Sequence, residues 1–383
     1  MSLWPSIIGQ ERVKRQLLDA VRSGRLPHAY LFFGAEGVGK DAMALELARV
    51  VHCERKGEAA CGECASCVRI RGLSHPDVKF ICALPRKTGE VADDSPFEKL
   101  SQQELASVQE ELRKKGENPY YRIAIPKANV IKINSIRETR KDTALSTFGN
   151  LRRFVIISRA EEMSEEASNS LLKNLEEPSG NTMFILTTSQ PDALLPTIQS
   201  RCQKIRFDLL MAEEIQQSLV ERGLADGKTA ELVARLALGS YGRALDLLDE
   251  DIARERREAV AFVINTLGQN FPMLMDQIEE ITASKDKDVL TRFLTLLLIW
   301  FRDALVLREG RGIINVDQND ELVRFIRKFP DANLVQVLEE IEKAIFLLQR
   351  NVYIVLIFVQ LSIKLKRSIL QPSRQPGAFE VVS

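Results

Sequence analysis

The sequence predicts an α/β domain with a parallel sheet built around a phosphate-binding loop, followed by a region of helices alone. Three observations predict it. An apolar run, Tyr30-Leu31-Phe32-Phe33, leads into Gly34-Ala35-Glu36-Gly37-Val38-Gly39-Lys40-Asp41, and a helix-forming run, Ala42 to Val51, leads out. That is the strand, loop and helix order of a P-loop, G-x-x-x-x-G-K-[ST]. Apolar strand-length runs then alternate with helical periods as far as Phe207, and from Asp208 onward only helical periods remain.

The chain has 383 residues, room for two or three domains. With 45% hydrophobic and 28% charged residues it has the composition of a soluble globular protein. Lys+Arg and Asp+Glu both number 53, so no global field draws the chain to nucleic acid or to acidic membrane. Any DNA contact must come from a local patch or from partners. Met1 to Pro5 lacks the basic and apolar regions of a signal peptide. The runs 293–301 and 353–359 fall short of the roughly 20 apolar residues that span a bilayer and read as buried helices. A cytoplasmic protein is expected, whose six cysteines suit metal binding better than disulfides.

The first helix carries Val13, Leu17, Leu18 and Val21 and ends near Gly24. Beyond the P-loop, Met43, Leu47 and Val51 recur at helical spacing, so that helix lies on the sheet. Strands are expected at 77–81, 153–157, 182–188 and 203–207, with a short one at 130–133 and a helix over 135–145. Residues 84–127 break the rhythm. Pro85, Gly89 and Pro96 mark a loop there, and Ser101-Gln102-Gln103-Glu104 is a capping box opening a polar helix that Gly116 and Pro119 close. This segment reads as a surface insertion with no recognisable chemistry, used for partner contact or for nothing. Three short helices follow at 211–222, 228–237 and 243–249. Apolar helical repeats then run over 260–267, 290–307, 322–329, 334–348 and 353–370, and residues 371–383 form a tail expected to fray.

Two constellations carry chemistry. In the P-loop, Gly34, Gly37 and Gly39 let the backbone turn its N–H groups inward, and Lys40 would reach the outer phosphates. Two requirements of ATP hydrolysis are missing. The motif's last position should hold Mg²⁺ through a hydroxyl, and it is Asp41. The strand 153–157 should end in carboxylates, and Ser158-Arg159 follows. Glu161 and Glu162 read as solvated loop charges. The second constellation is Cys53 with Cys61-Gly62-Glu63-Cys64-Ala65-Ser66-Cys67, two overlapping C-x-x-C units and an upstream thiol. Four sulfur ligands supply a closed tetrahedral zinc site, which staples a loop and leaves no open position for catalysis.

Ile7-Ile8-Gly9-Gln10, the P-loop-like stretch, the four cysteines, Leu171-Leu172-Lys173-Asn174-Leu175-Glu176-Glu177-Pro178, Thr187-Thr188 and Ser200-Arg201-Cys202 together resemble the clamp-loader AAA+ family. The resemblance covers residues 1–250 in motifs and the remainder in architecture. It implies a five-stranded AAA+ domain at 1–207 holding the zinc site and the insertion, a three-helix lid at 208–253 and an all-α collar at 254–370. It further implies a hetero-oligomeric ring with subunits of the delta and gamma/tau types, which sets a sliding clamp on primed DNA. Arg201 would then be an arginine finger acting in trans on ATP held by a neighbouring motor subunit. Zinc falls to Cys53, Cys61, Cys64 and Cys67, and Arg243 stands at the family's nucleotide-sensing lid position.

The missing hydroxyl and carboxylates favour a subunit that is no enzyme by itself, in which ATP binding at Gly34, Gly37, Gly39 and Lys40 is doubtful. Two other readings stay open. One is an active motor of the gamma/tau type that uses Asp41 or Glu161 as a metal ligand. The other is a zinc module binding DNA through Arg137, Arg140, Lys141, Arg152 and Arg153.

Overall fold

The computed structural model describes residues 4–87, 89–90, 94–145, 152–177, 181–248, 252–348, 350 and 352–370. The expected tail at 371–383 and Pro178 of the Leu-Leu-Lys motif lie outside them. The chain divides into two compact units, Met1–Asp246 and Leu247–Ser383.

The first unit contains α1 (Glu11–Arg22), β1 (Ala29–Phe33), α2 (Lys40–His52), α3 (Ala65–Arg71), β2 (Val78–Ile81), α4 (Gln102–Glu117) and α5 (Ile133–Leu145). It continues through β3 (Arg153–Ile157), α6 (Glu165–Glu176), β4 (Thr182–Thr188), α7 (Pro196–Arg201) and β5 (Gln203–Arg206). Three short helices end it: α8 (Ala212–Glu221), α9 (Gly227–Leu236) and α10 (Tyr241–Leu248), the last reaching the boundary of the units.

Among the described residues the sheet has five strands in the order β2-β3-β4-β1-β5, with every pairing parallel. Parallel strands joined by helical crossovers are covered on both faces, which is why β3 and β4 read as continuous apolar runs. Leu31, Val155, Ile157, Phe184 and Leu186 point to one face and pack on Ile136, Leu171, Leu175 and Ile198 of α5, α6 and α7. The alternate residues face the other way, where Phe154 meets the His52 ring of α2 at 5.6 Å. Helix α2 is buried nearly all round, and its inner stripe runs through Val50 rather than Val51.

The expected strand at 130–133 is two isolated bridges, Leu84 with Val130 and Ile131 with Met163, and α5 starts directly after them. No second ladder partner extends the pairing into a strand. The capping box is present: Ser101 Oγ accepts from Glu104 N, while the Glu104 carboxylate accepts from Ser101 N. Helix α4 does not stand out in solvent. Val108 and Leu112 pack with Ile123 and Ile125 on Cys82 and Leu84, a small second core just beyond β2.

The second unit is helical: α11 (Ile252–Leu267), α12 (Phe271–Thr282), α13 (Lys287–Arg308), α14 (Asn319–Lys328), α15 (Leu334–Leu348) and α16 (Ile354–Leu370). Helix α12 has no counterpart in the sequence reading, because Phe271-Pro272 at its start resembles a loop. Proline is tolerated in that first turn, and Asn270 caps it by accepting from Met273 N. Two ring clusters fill this core, Phe262 with Phe293 and Phe358, and Trp300 with Phe301 and Phe325. Ile264, Phe271, Met273 and Ile363 remain between 52% and 64% exposed.

A filled phosphate loop and a candidate metal centre

The loop between β1 and α2 has P-loop geometry. Gly34, Gly37 and Gly39 all have positive φ. At Gly37 the requirement is twofold, because φ is 73° and an added Cβ would lie 2.1 Å from Ser240 Oγ. Lys40 is buried, and its Nζ donates to the Gly34 and Ala35 carbonyls at 2.8 and 2.6 Å. Burial lowers its pKa, opposed by the carboxylates of Asp41, Glu36 and Glu161.

Asp41 is fully engaged. Thr187 Oγ1 donates to its Oδ1 at 2.7 Å, and Ser158 Oγ donates to Oδ2 at 2.8 Å. Lys115 Nζ, from the end of α4, lies 2.8 Å from the same Oδ2. Burial pushes the Asp41 carboxyl up, but the Lys115 charge and the three hydrogen bonds outweigh it and hold the pKa at about 2. The reading of 84–127 as a surface insertion without chemistry is therefore corrected: it delivers a buried cation to the P-loop. Tyr120, also from this segment, lies against Gly39 and accepts from Ile8 N through its hydroxyl at 2.9 Å. Arg122 pairs with Glu36 of the loop at 3.1 Å.

Glu161 and Glu162 are not the solvated charges expected. Glu161 accepts from the Ser189 amide and hydroxyl at 3.0 and 2.9 Å, and Glu162 pairs with Arg159 at 3.2 Å. Burial raises the Glu162 pKa against the pull of Arg159. Two of the basic residues offered as a DNA surface are committed elsewhere. Arg153 is buried in β3, and Arg152 donates to the Leu26 and Pro27 carbonyls at 2.8 Å each. The side chains of Arg140 and Lys141 lie outside the described residues. Arg243, expected at a lid position, donates its backbone N–H to the Ser240 hydroxyl at 3.2 Å.

The four cysteines converge, all sulfurs lying within 4.8 Å of one another. Cys61 and Cys67 Sγ are 3.9 Å apart. A tetrahedral ion with sulfur at about 2.3 Å sets its ligands about 3.8 Å apart. Backbone N–H groups point at three of them: Cys61 N at Cys53 Sγ, Cys64 N at Cys61 Sγ and Cys67 N at Cys64 Sγ, at 3.3, 3.3 and 3.4 Å. Amides aimed at sulfur favour thiolate. They bring the Cys61 pKa down to about 6 and lower that of Cys64, while burial pushes Cys67 up to about 12. The set could hold a metal ion, and its donor chemistry and spacing fit zinc.

Arg201 ends α7. Its Nη1 donates to the Thr197 carbonyl at 3.0 Å, and its Nη2 meets Glu176 Oε1 at 2.6 Å. It does not share a site with the P-loop. In the parallel register of β1 and β5, Tyr30 faces Gln203 and Phe33 faces Arg206. Arg201 precedes β5 while the loop follows β1, so the two lie at opposite ends of the strands, at least about 10 Å apart. Lys115, Tyr120 and Arg122 escaped the sequence reading. The one signal available was the dense Tyr120-Tyr121-Arg122 run after Pro119, atypical of a solvated loop.

A P-loop after β1, which lies between β4 and β5 in a five-stranded parallel sheet, followed by helices alone, defines the AAA+ class. A family model described as DNA polymerase III, delta subunit, matches residues 9–210. The chain belongs to the DNA polymerase III delta-prime family. The delta-prime subunit of Bacillus subtilis (strain 168) is 32% identical over 305 residues, 79% of this chain and 78% of that one. The gamma/tau subunit of Mycobacterium tuberculosis (strain H37Rv) is 26% identical over 340 residues, which is 82% of this chain but 52% of its own length. Among solved structures, a DNA polymerase III gamma subunit-related protein from Thermotoga maritima aligns over 94% of this chain and 98% of its own, at 12% identity and a TM-score of 0.41. No helix among the described residues is long and apolar enough to cross a membrane.

Proposed function

We propose that this chain is a non-catalytic subunit of the DNA polymerase III clamp loader, which helps place the sliding clamp on primed DNA and lends Arg201 to ATP on a neighbouring subunit. The observation that carries this reading is the state of Asp41. The position that should hold Mg²⁺ is a carboxylate already bound to Lys115, Ser158 and Thr187, and the two positions directly after β3, where a carboxylate would position an attacking water, are Ser158 and Arg159. Lys40 is spent on its own loop's carbonyls. Arg201 lies too far from this loop to serve it in cis, whereas a planar, permanently charged guanidinium suits a phosphoryl group presented by another chain.

The remaining parts follow from this reading. Residues 1–207 form the AAA+ domain, 208–253 the lid and 254–370 the collar, whose exposed Phe271, Met273 and Ile363 suit packing against delta and gamma/tau type subunits. Zinc bound by Cys53, Cys61, Cys64 and Cys67 staples the loop between α2 and α3. Arg243 is vestigial or structural, and the protein works in the cytoplasm.

Steady-state ATP turnover by the purified chain tests the non-catalytic part. Turnover at the background rate is expected. Turnover abolished by Lys40→Ala would instead establish a motor of the gamma/tau type. Co-purification with gamma/tau and delta subunits tests the assembly part, and a chain that stays alone in their presence would contradict it.

A further inference from the structure

We propose that residues 101–122 are a built-in occupant of the nucleotide pocket, with Lys115 standing in the place of the divalent cation. In a P-loop the eighth residue is the side chain that touches the metal. Here that residue is Asp41, and the group it touches is an ammonium at 2.8 Å. The Ser158 and Thr187 hydroxyls close around the same carboxylate. Lys115 is itself buried, and its second acceptor is the Tyr121 carbonyl at 2.9 Å, so the helix end and the chain after it are fixed together. A carboxylate largely shielded from water needs a compensating charge, and the fold provides one from within.

Tyr120 completes the occupation. Its ring atoms lie 3.0 to 3.3 Å from where a Cβ on Gly39 would stand, over the last turn of the loop. Its hydroxyl accepts from Ile8 N, and its ring meets Tyr241 of α10 edge-on at 4.9 Å. The start of α10 reaches the loop as well, where Gly242 N donates to the Gly37 carbonyl at 3.1 Å. A magnesium–nucleotide complex would have to displace Lys115 from Asp41, Tyr120 from Gly39 and Ser240 from Gly37. The residues present therefore do not fit that ligand. The inference rests on the non-catalytic reading and adds its cause: the pocket is filled by the chain itself, in addition to lacking catalytic groups.

Thermal unfolding of the full-length chain with MgCl₂ alone and with ADP plus MgCl₂ tests this. The native protein should respond to neither. Lys115→Ala opens a cation-sized hole beside Asp41 and should gain an upward shift of about 3 °C or more with MgCl₂. Lys115→Ala/Tyr120→Ala should gain a further shift with ADP, and Asp41→Asn/Lys115→Ala should respond to neither. Should Lys115→Ala fail to fold, Lys115→Gln, which keeps a neutral donor toward Asp41, carries the same comparison. A native protein shifted by ADP plus MgCl₂ overturns the inference, as does a folded Lys115 variant indifferent to MgCl₂. ATP turnover by the native chain, read in its own assay, would overturn the non-catalytic reading instead; nucleotide binding without turnover overturns only the plug.

Discussion

Lys115 Nζ lies 2.8 Å from Asp41 Oδ2, a contact between a helix of the insertion and the first turn after the P-loop. Lys115 is buried and Asp41 largely so, their side chains 5% and 19% accessible, so removing the cation leaves an uncompensated carboxylate. Lys115→Met should destabilise the chain at neutral pH by about 3–5 kcal/mol. The loss should shrink at acid pH. In the native chain the Asp41 pKa is lowered to about 2. Its contribution is therefore fully present above the unfolded value near 4 and is lost as pH falls toward 2. In the variant, burial without Lys115 raises the same pKa, so protonation relieves the penalty. Urea unfolding at pH 7 and pH 4 checks both the size and the convergence.

Gly37 is the point where the helix after Ser240 meets the loop. Its φ of 73° and the 2.1 Å approach of Ser240 Oγ leave no room for a methyl group. Gly37→Ala should cost more than about 1 kcal/mol and increase amide exchange at Gly242, whose N–H is bound to the Gly37 carbonyl. Unchanged stability and protection would show that the contact is loose.

Metal analysis should find one zinc per chain. Cys64→Ser should lower that content, and chelation should expose the segment from Cys53 to Cys67 to protease while leaving the sheet folded, because no strand of the sheet runs through that segment. Retention of full zinc by Cys64→Ser would contradict the four-sulfur site.

Glu176 and Arg201 form a partly exposed pair, their side chains 50% and 35% accessible. Such pairs contribute about 0–1 kcal/mol. Glu176→Ala should therefore leave the unfolding midpoint nearly unchanged, which shows that the pair does not hold the fold together. A large loss in urea unfolding would give Arg201 a structural role.

Much of this protein is written locally. Arg153–Ile157 and Thr182–Thr188 are continuous apolar strands because both sheet faces are covered, and the helix Leu334–Leu348 is legible from its period alone. The cysteine set is legible because its ligands are close in sequence. Ser101 and Glu104 announce the start of α4. What that helix does is not legible, because the pairing of Lys115 with Asp41 joins residues far apart in sequence and nothing around Lys115 marks it as the partner of the unusual Asp41. The stretch at 130–133 shows the opposite error, a strand-like composition that finds only single bridges. Burial of Arg153 inside a strand likewise reverses what its charge suggests.

The most direct test of the account is the ATPase rate of the assembled clamp loader carrying Arg201→Ala in this subunit. Arg201 touches only Thr197 and Glu176 among the bonds described for it, so the variant should fold and assemble. Arginine fingers contribute about 10³ or more to phosphoryl transfer. Turnover at the site facing this subunit should fall by about that factor while the complex stays intact. An assembled complex whose ATPase is unchanged by Arg201→Ala would contradict it.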